Sequence, residues 1–432
     1  MLTYAYNARI DGIYYDLASS DDGNTAVVTY YKEFSKNKNA YSGVINIPSK
    51  VTYEGVVYDV CGIYELAFYG CSGLTSVTIP NSVRYIYQGA FNGCSNLTFV
   101  SISSSVTSIN NTAFLGCSSL AYITVEDGNT VYDSRGNCNA IIKTANNELV
   151  IGCKNTIIPN SVTSIGMCAF HGNTGLTSLT IPQSVTSIGL SAFSGCSSLT
   201  SVNIPNSVTF IGLNAFVGTG WYNNQSDGFL YLDNWLLGCK GWNPEGKLAI
   251  VDGTKGIAEE AFCDCRRLTS VIIPQSVISI GKGAFSGCDG LTSLTIPQSV
   301  SFIGESAFYG CYELEDIIAL PETPPSVGGK KDLFSNYNHI TLIVPSSARH
   351  SYMTTKPWCN ITTIRALSDE DLKKKGDANG DGTINVEDIV DVVNYIVGSP
   401  SELFRETLAD ANDDGIVNVA DILKIVNIIM EN

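Results

Sequence analysis

One spacing constrains this chain more than any other feature. The Phe of a recurring Ala-Phe pair falls at Phe68, Phe91 and Phe114, at Phe170, Phe193 and Phe216, and at Phe262, Phe285 and Phe308. Within each trio the step is 23 residues; it is 46 from Phe216 to Phe262 and 56 from Phe114 to Phe170. A fixed period of this length predicts a solenoid, in which no unit buries its apolar residues alone and stacked units do. Ile188–Phe210, IGLSAFSGCSSLTSVNIPNSVTF, is one copy. Its Leu199-Thr-Ser-Val202-Asn-Ile204 run reads as L-x-x-L-x-L, with Leu199, Val202 and Ile204 inward and Ser201 and Asn203 outward. Pro205 ends that strand, Val208 and Ile211 turn back to the core, Gly212 allows a tight bend, and Phe216 plugs the next interior.

The segments IPNSVTFIGLNAF, AFSGCSSLTSV and IPQSVTSIG resemble the bacterial surface leucine-rich repeats typified by the BspA adhesin, across Cys61–Leu320. The resemblance implies an α/β repeat solenoid, a leucine-rich-repeat horseshoe, in an exported protein that adheres to host matrix proteins or other cell surfaces. Residues 1–60 lack the repeat but hold strand patterns and the turn signals Asp11-Gly12 and Asp22-Gly23, and are expected to form a small antiparallel N-terminal β cap. Two insertions interrupt the period. Residues 126–160 predict a hairpin protruding from the solenoid edge. Residues 217–256 predict a second hairpin rich in aromatics, among them Trp221, Tyr222, Trp235 and Trp242. These rings are candidate ligand contacts for sugars or a protein, or the mini-core of the hairpin. Residues 321–365 read as a terminal cap with one more strand, Ile340–Pro345, covered by Tyr352 and Trp358; 366–375 reads as a linker.

The net charge of −16 argues against nucleic acid or an anionic membrane as partner. No apolar run approaches 18 residues, so no transmembrane helix is expected. The segment after Met1 has neither a basic nor an apolar leader region, which fits a cytosolic chain or an exported one whose signal peptide is gone; the family resembled favours the second. Of fourteen cysteines, Cys71, Cys94, Cys117, Cys196, Cys288 and Cys311 share one repeat position and are expected to stack as buried free thiols. Cys138 and Cys153 are either free or bridged across their hairpin, and Cys263-Asp-Cys265 is too short a pair to argue for a metal.

Residues 376–432 have a different chemistry. Asp377, Asn379, Asp381, Thr383, Asn385 and Asp388 stand at positions 1, 3, 5, 7, 9 and 12 of one loop. Asp410, Asn412, Asp414, Ile416, Asn418 and Asp421 repeat them 33 residues later, each loop with Gly at position 6. Ca²⁺ prefers six to eight hard oxygens at about 2.3–2.6 Å, and this spacing supplies side-chain oxygens, one backbone carbonyl at position 7 and a closing carboxylate. Two Ca²⁺ sites are therefore expected. Each loop opens an apolar helix, through Ile389, Val392, Val393 and Ile396, and through Ile422, Ile425, Val426 and Ile429. Between 366 and 432 there are 5 basic and 15 acidic residues, a formal 5 − 15 = −10, so metal binding and folding should be coupled. Asp at position 12 and a duplicated loop–helix unit resemble a type I dockerin. That implies a small all-α calcium-binding domain whose partner is a cohesin, chosen in part by loop positions 10 and 11. Here those are Val386-Glu387 and Val419-Ala420, which departs from the small hydroxyl pair common in the family and leaves open both the identity of a cohesin partner and its existence.

Catalytic motifs are absent: His171, His339 and His350 lie far apart in sequence, and no zinc-protease, nucleophile-elbow or P-loop pattern occurs. The outward rung face carries mainly Ser and Thr, broken by Phe99 and Tyr122, which are candidate contact residues or a cross-rung pair. The expected function is a monomeric, extracellular or cell-surface, non-enzymatic binding and adhesion protein with protein or glycan ligands and a calcium-dependent docking module. The alternatives are a component of a polysaccharide-degrading complex held by dockerin–cohesin binding, or a purely structural dockerin-like domain.

Overall fold

The computed structural model describes residues 6–20, 23–30, 40–368, 376–381, 383–401, 403–412 and 416–431. The chain divides into two compact units, Met1–Ser226 and Asp227–Asn432.

In the first unit, Ala8–Ile10, Ile13–Ser20 and Gly23–Val28 form an antiparallel meander. Gly23–Val28 then pairs parallel with Val56–Ile63, onto which Lys50–Tyr53 folds as an antiparallel hairpin. The start of the chain is therefore a mixed sheet that runs straight into the parallel ladder of Tyr85–Ile86 and Ser108–Ile109. A second ladder joins Ser42–Asn46, Gly73–Thr78, Phe99–Ile102 and Tyr122–Val125, all parallel, so the segment before residue 60 already supplies a rung strand.

The coils up to Val125 thus have a strand on both sides, whereas the next coils carry only the ladder Ser164–Ile165, Ser187–Ile188 and Phe210–Ile211. Residues 176–181 and 199–204, the latter expected as a strand, are not strands. The repeats form a β-solenoid of stacked coils with no helix in the described rungs, consistent with the leucine-rich-repeat fold. The reason is local. The residue two before the repeat Phe adopts a left-handed conformation in eight of the nine coils, all but that of Phe114: Leu66 (φ 58°), Gly89 (60°), Cys168 (59°), Ser191 (53°), Asn214 (57°), Glu260 (53°), Gly283 (58°) and Ser306 (57°). Four residues later a second left-handed residue follows, as at Gly195 (φ 75°) and Gly218 (75°). A helical turn bracketed by two such residues cannot propagate.

The core is a set of columns. Phe68 stacks on Phe91 and Phe91 on Phe114, both with centroids 5.0 Å apart; Phe170, Phe193 and Phe216 follow at 5.1 and 5.4 Å. The Phe amides reach across coils, Phe193 N–H donating to the Ala215 carbonyl at 2.8 Å. The cysteine column is also a hydrogen-bonded one. Cys94, Cys117 and Cys196 each direct Sγ to the carbonyl of the Phe 26 residues earlier, at 3.1, 3.2 and 3.1 Å. Burial pushes these thiols up, to about 12 for Cys117 and Cys196. All fourteen cysteines are free. Cys153 points its thiol at the carbonyls of Ala121 (3.0 Å) and Asn139 (3.2 Å), so the bridge to Cys138 does not form.

The insertion hairpin Ala140–Lys143/Glu148–Gly152 does not protrude, contrary to expectation. Glu148–Gly152 continues the ladder into Ser164–Ile165, Ser187–Ile188 and Phe210–Ile211. Ile141, Ile142 and Leu149 are fully buried. The hairpin stands in for a rung, and Phe170 lies over the bare Cα of Gly152, where any Cβ would meet its ring.

The second unit repeats this scheme. The hairpin Gly228–Leu232/Trp235–Lys240 begins a parallel ladder through Gly256–Ile257, Ser279–Ile280, Phe302–Ile303 and Ser326–Val327. Opposite it run Gly246–Ala249 with Leu268–Ile272, and Ser293–Ile296, Asp316–Ala319, Thr341–Val344 and Thr363–Ala366. Three strands, not one, follow Pro321. Phe262, Phe285, Phe308 and Phe334 stack at 5.3, 5.6 and 6.0 Å, and Trp358 meets Phe334 edge-on at 6.2 Å. Trp358 Nε1–H donates to the Pro325 carbonyl and Tyr352 Oη–H to that of Pro321. Residues 369–375, within the expected linker, lie outside the described residues. The helices Val386–Ile396 and Val419–Glu431 pack around Ala378, Val392, Ala409, Ala411, Val417 and Ile425.

Candidate metal centre and docking surface

The described residues of the two acidic loops share their closing contacts. In the first, Asp388 is fully buried, and its oxygens accept from the amides of Asn379 (3.2 Å) and Asn385 (2.8 Å). In the second, buried Asp421 accepts from Asn412 (3.2 Å) and Asn418 (2.8 Å). Asn385 and Asn418 cap the two helices, each accepting from the amide two residues on. Backbone amides also bind the side chains at the start of the first loop. Asp381 N–H donates to Asp377 Oδ1 (3.0 Å) and Asn379 Oδ1 (2.9 Å), and Thr383 N–H to Asp381 Oδ1 (2.7 Å).

These bonds gather Asp377, Asn379, Asp381, Thr383, Asn385 and Asp388 about one turn, with Asp377 also fully buried. Burial raises the Asp388 carboxyl to about 7, and the charges of Asp377 and Asp381 add to this against the two amides. Among the described residues, neither Asp388 nor Asp421 has a salt bridge, and no three His, Cys, Asp or Glu form a metal cluster by themselves. A buried carboxylate facing only other acids and amides is costly unless a cation joins it. The donor set, hard oxygens of Asp and Asn with a carbonyl at position 7, fits Ca²⁺. Asp410, Asn412, Ile416, Asn418 and Asp421 occupy the matching places in the second loop; Asp414 lies outside the described residues.

Val386, Glu387, Val419 and Ala420 are exposed at the first turns of the two helices. They are joined by a larger apolar surface that periodicity alone did not assign to solvent. Val390, Val393, Ile396 and Val397 are exposed on the first helix, and Leu423 and Met430 on the second. Val393 and Ile396, expected in the core, are 40% and 41% exposed because Val392 alone of that run reaches the centre.

The candidate ligand contacts separate. Trp235 is corrected: it is 1% exposed, lies across Gly256, and presents no face to a ligand. Trp221 is half-buried on the short helix Gly220–Asn223, edge-on to Phe216, with Tyr222 beside it. Trp242 is open to solvent. Phe99 and Tyr122 are register partners on the outward face, both partly exposed. A tyrosine group missed in the sequence, Tyr64, Tyr85 and Tyr87, clusters at 5.4 and 6.1 Å; its signal was Tyr85 where other coils carry Ser, as at Ser108 and Ser187, and Tyr64 and Tyr87 where other coils carry Gly, as at Gly189 and Gly212.

Comparison with known proteins adds the following. The family described as BspA type leucine rich repeat region matches residues 37–149, 141–224 and 247–368, in six copies. The type I dockerin domain matches residues 375–430. No curated protein matches. Among solved structures, a leucine-rich repeat protein from Bacteroides ovatus is 22% identical, with 84% of this chain and 100% of that one covered and a TM-score of 0.34. A leucine rich cell surface protein from Faecalibacterium prausnitzii is 22% identical, with 84% and 96% covered and a TM-score of 0.28. The pneumococcal vaccine antigen PcpA is 15% identical, with 84% and 98% covered and a TM-score of 0.26. With repeats over most of its length and a dockerin behind them, the chain belongs to the BspA type leucine rich repeat family.

Proposed function

We propose that this is an exported, non-catalytic binding protein whose solenoid presents a surface to a protein or glycan and whose dockerin docks it to a partner when calcium is bound. The observation that carries the reading is the pair of buried closing carboxylates, Asp388 and Asp421, each held by two amides and each two residues after an exposed valine, Val386 or Val419. Calcium at Asp377, Asn379, Asp381, Thr383, Asn385 and Asp388, and at Asp410, Asn412, Asp414, Ile416, Asn418 and Asp421, would neutralise those acids. The helix ends would then be fixed with their apolar faces outward. An interface core of this kind suits a protein partner.

The dockerin match also favours a second reading, a subunit of a polysaccharide-degrading complex held through a cohesin. Capture by immobilised cohesins, using the full chain with calcium and with chelator, tests docking. Loss of capture on chelation and in Asp388→Asn supports it; capture indifferent to calcium refutes it. Hydrolysis assays on polysaccharides are expected to show no turnover.

A further inference from the structure

The strongest feature outside the dockerin lies at the start of the second unit, in the open cleft beside Trp242. The cleft has a volume of about 860 Å³, inside the roughly 300–1,000 Å³ range of ligand pockets. One wall is Trp242, 44% exposed. Its ring is not loose: it rests on Phe229 at 5.4 Å, and Phe229 meets the first buried ring of the core column, Phe262, at 6.2 Å. The backbone beneath is pinned as well. Gly241 sits at φ +78° with the Asp227 carboxylate where a Cβ would be, and Gly246 N–H donates to the Arg267 carbonyl at 2.9 Å.

The facing wall carries two ion pairs. Arg267 Nη1 contacts Glu245 Oε2 at 2.8 Å, and Arg266 Nη2 lies 3.6 Å from Asp264 Oδ1. The four charges cancel. An anionic ligand would meet Glu245 and Asp264, and a cationic one would meet both arginines. A hydroxyl suits both members of each pair, because it accepts from a guanidinium and donates to a carboxylate. A ring with an apolar C–H face and hydroxyls at its rim would stack on Trp242 and place its hydroxyls against the pairs, with Asn243 adding an amide. We propose that this cleft is a binding subsite for an uncharged hexose-based oligosaccharide, with Trp242 as platform and the Glu245–Arg267 and Asp264–Arg266 pairs as readers of neighbouring hydroxyls.

The proposal rests on the reading of the solenoid as a binding surface and narrows it. The test is calorimetry of the full chain with cellohexaose, mannohexaose and galactohexaose, with hexagalacturonate as the charged control and immobilised collagen as the polypeptide control. At least one neutral hexaose should bind and perturb tryptophan fluorescence, and hexagalacturonate should bind more weakly. Trp242→Ala should lose affinity at least about tenfold, while Trp242→Phe should stay within about threefold. Arg267→Ala and Glu245→Ala should each weaken binding, and Val44→Ala, at an exposed position of the first unit, should not. Calcium-dependent cohesin capture should be the same in Trp242→Ala as in the parent chain. Binding that survives Trp242→Ala, or the absence of any hexaose binding, overturns the subsite. Collagen binding that depends on Trp242 with no hexaose binding would also overturn it, while leaving the broader reading of the solenoid as a binding surface intact.

Discussion

The solenoid coils and the dockerin helices solve the problem of a small interior in opposite ways. A coil of 23 residues stacks neutral groups, Phe on Phe, thiol to carbonyl, in columns of three or four rings. Each coil is therefore stabilised by its neighbours and needs nothing from solution. The dockerin places Asp377, Asp388 and Asp421 inside a few dozen residues around a core of six buried apolar side chains. A cation bound at these carboxylates would balance that interior charge. One region should thus be indifferent to chelators and the other governed by them, although both belong to one chain.

Withdrawal of calcium should have the largest effect. At a thousandfold excess over Kd each site contributes about 4 kcal/mol, so losing two sites exceeds what a domain of this size can tolerate. Chelator, or Asp388→Asn with Asp421→Asn, should abolish the helical transition in calorimetry and leave the solenoid transition where it was. A single melt that shifts as a whole would show that the two regions are not thermodynamically distinct.

The reverse experiment acts on the column. Phe193→Ala removes a fully buried ring stacked on both sides, and should cost the first unit about 3–5 kcal/mol in a denaturant melt. The dockerin's calcium response should be unchanged. Next in size is Gly195→Ala. Its φ of +75° lies where an L side chain costs roughly 1–2 kcal/mol, and its Cβ would sit 3.5 Å from Gly172 Cα, an ordinary contact. The loss should therefore be strain alone. A larger loss would mean that coil spacing at this turn is tighter than these distances imply.

How much of this was legible follows from where the controlling contacts lie. The Phe register and the Cys column repeat at fixed separation, so the chain displays them openly. The twin loops were legible because a calcium ligand set has a set spacing. The missing helix was not, since the left-handed residue that forbids it is Leu66, Cys168, Ser191 or Glu260 in different coils, none of which signals that conformation. Nor was the seating of the first hairpin, which depends on Glu148 and Leu149 pairing with Ser164 and Ile165 across a loop. Trp235 and Trp242 share one hairpin region, yet the first is buried because Gly256 opens space for its ring, a fact stored 21 residues away. Val393 and Ile396 fit an amphipathic stripe, but a stripe does not state how much of itself the neighbouring helix covers.

The smallest expected effect probes the claim that solenoid coils owe nothing to charge. Glu305 bridges three places: Lys282 Nζ at 2.6 Å, Lys330 N–H at 2.9 Å and Lys331 N–H at 3.4 Å. The Lys282 hydrogen bond, followed by those two amides, lowers its carboxyl from 4.5 to about 2. Because the folded value lies below the unfolded one, its stabilisation is complete above pH 4.5 and disappears as pH falls through about 2. Glu305→Gln should therefore lower the second unit's melting temperature slightly at pH 7, and the difference from the parent chain should vanish near pH 2. Exposed pairs of this kind are screened, so 1 M salt should shrink the difference as well. A gap that persists at low pH and high salt would assign Glu305 a packing role over Gly329, whose missing side chain leaves room for the carboxylate, and the coils would remain as charge-independent as the Phe column suggests.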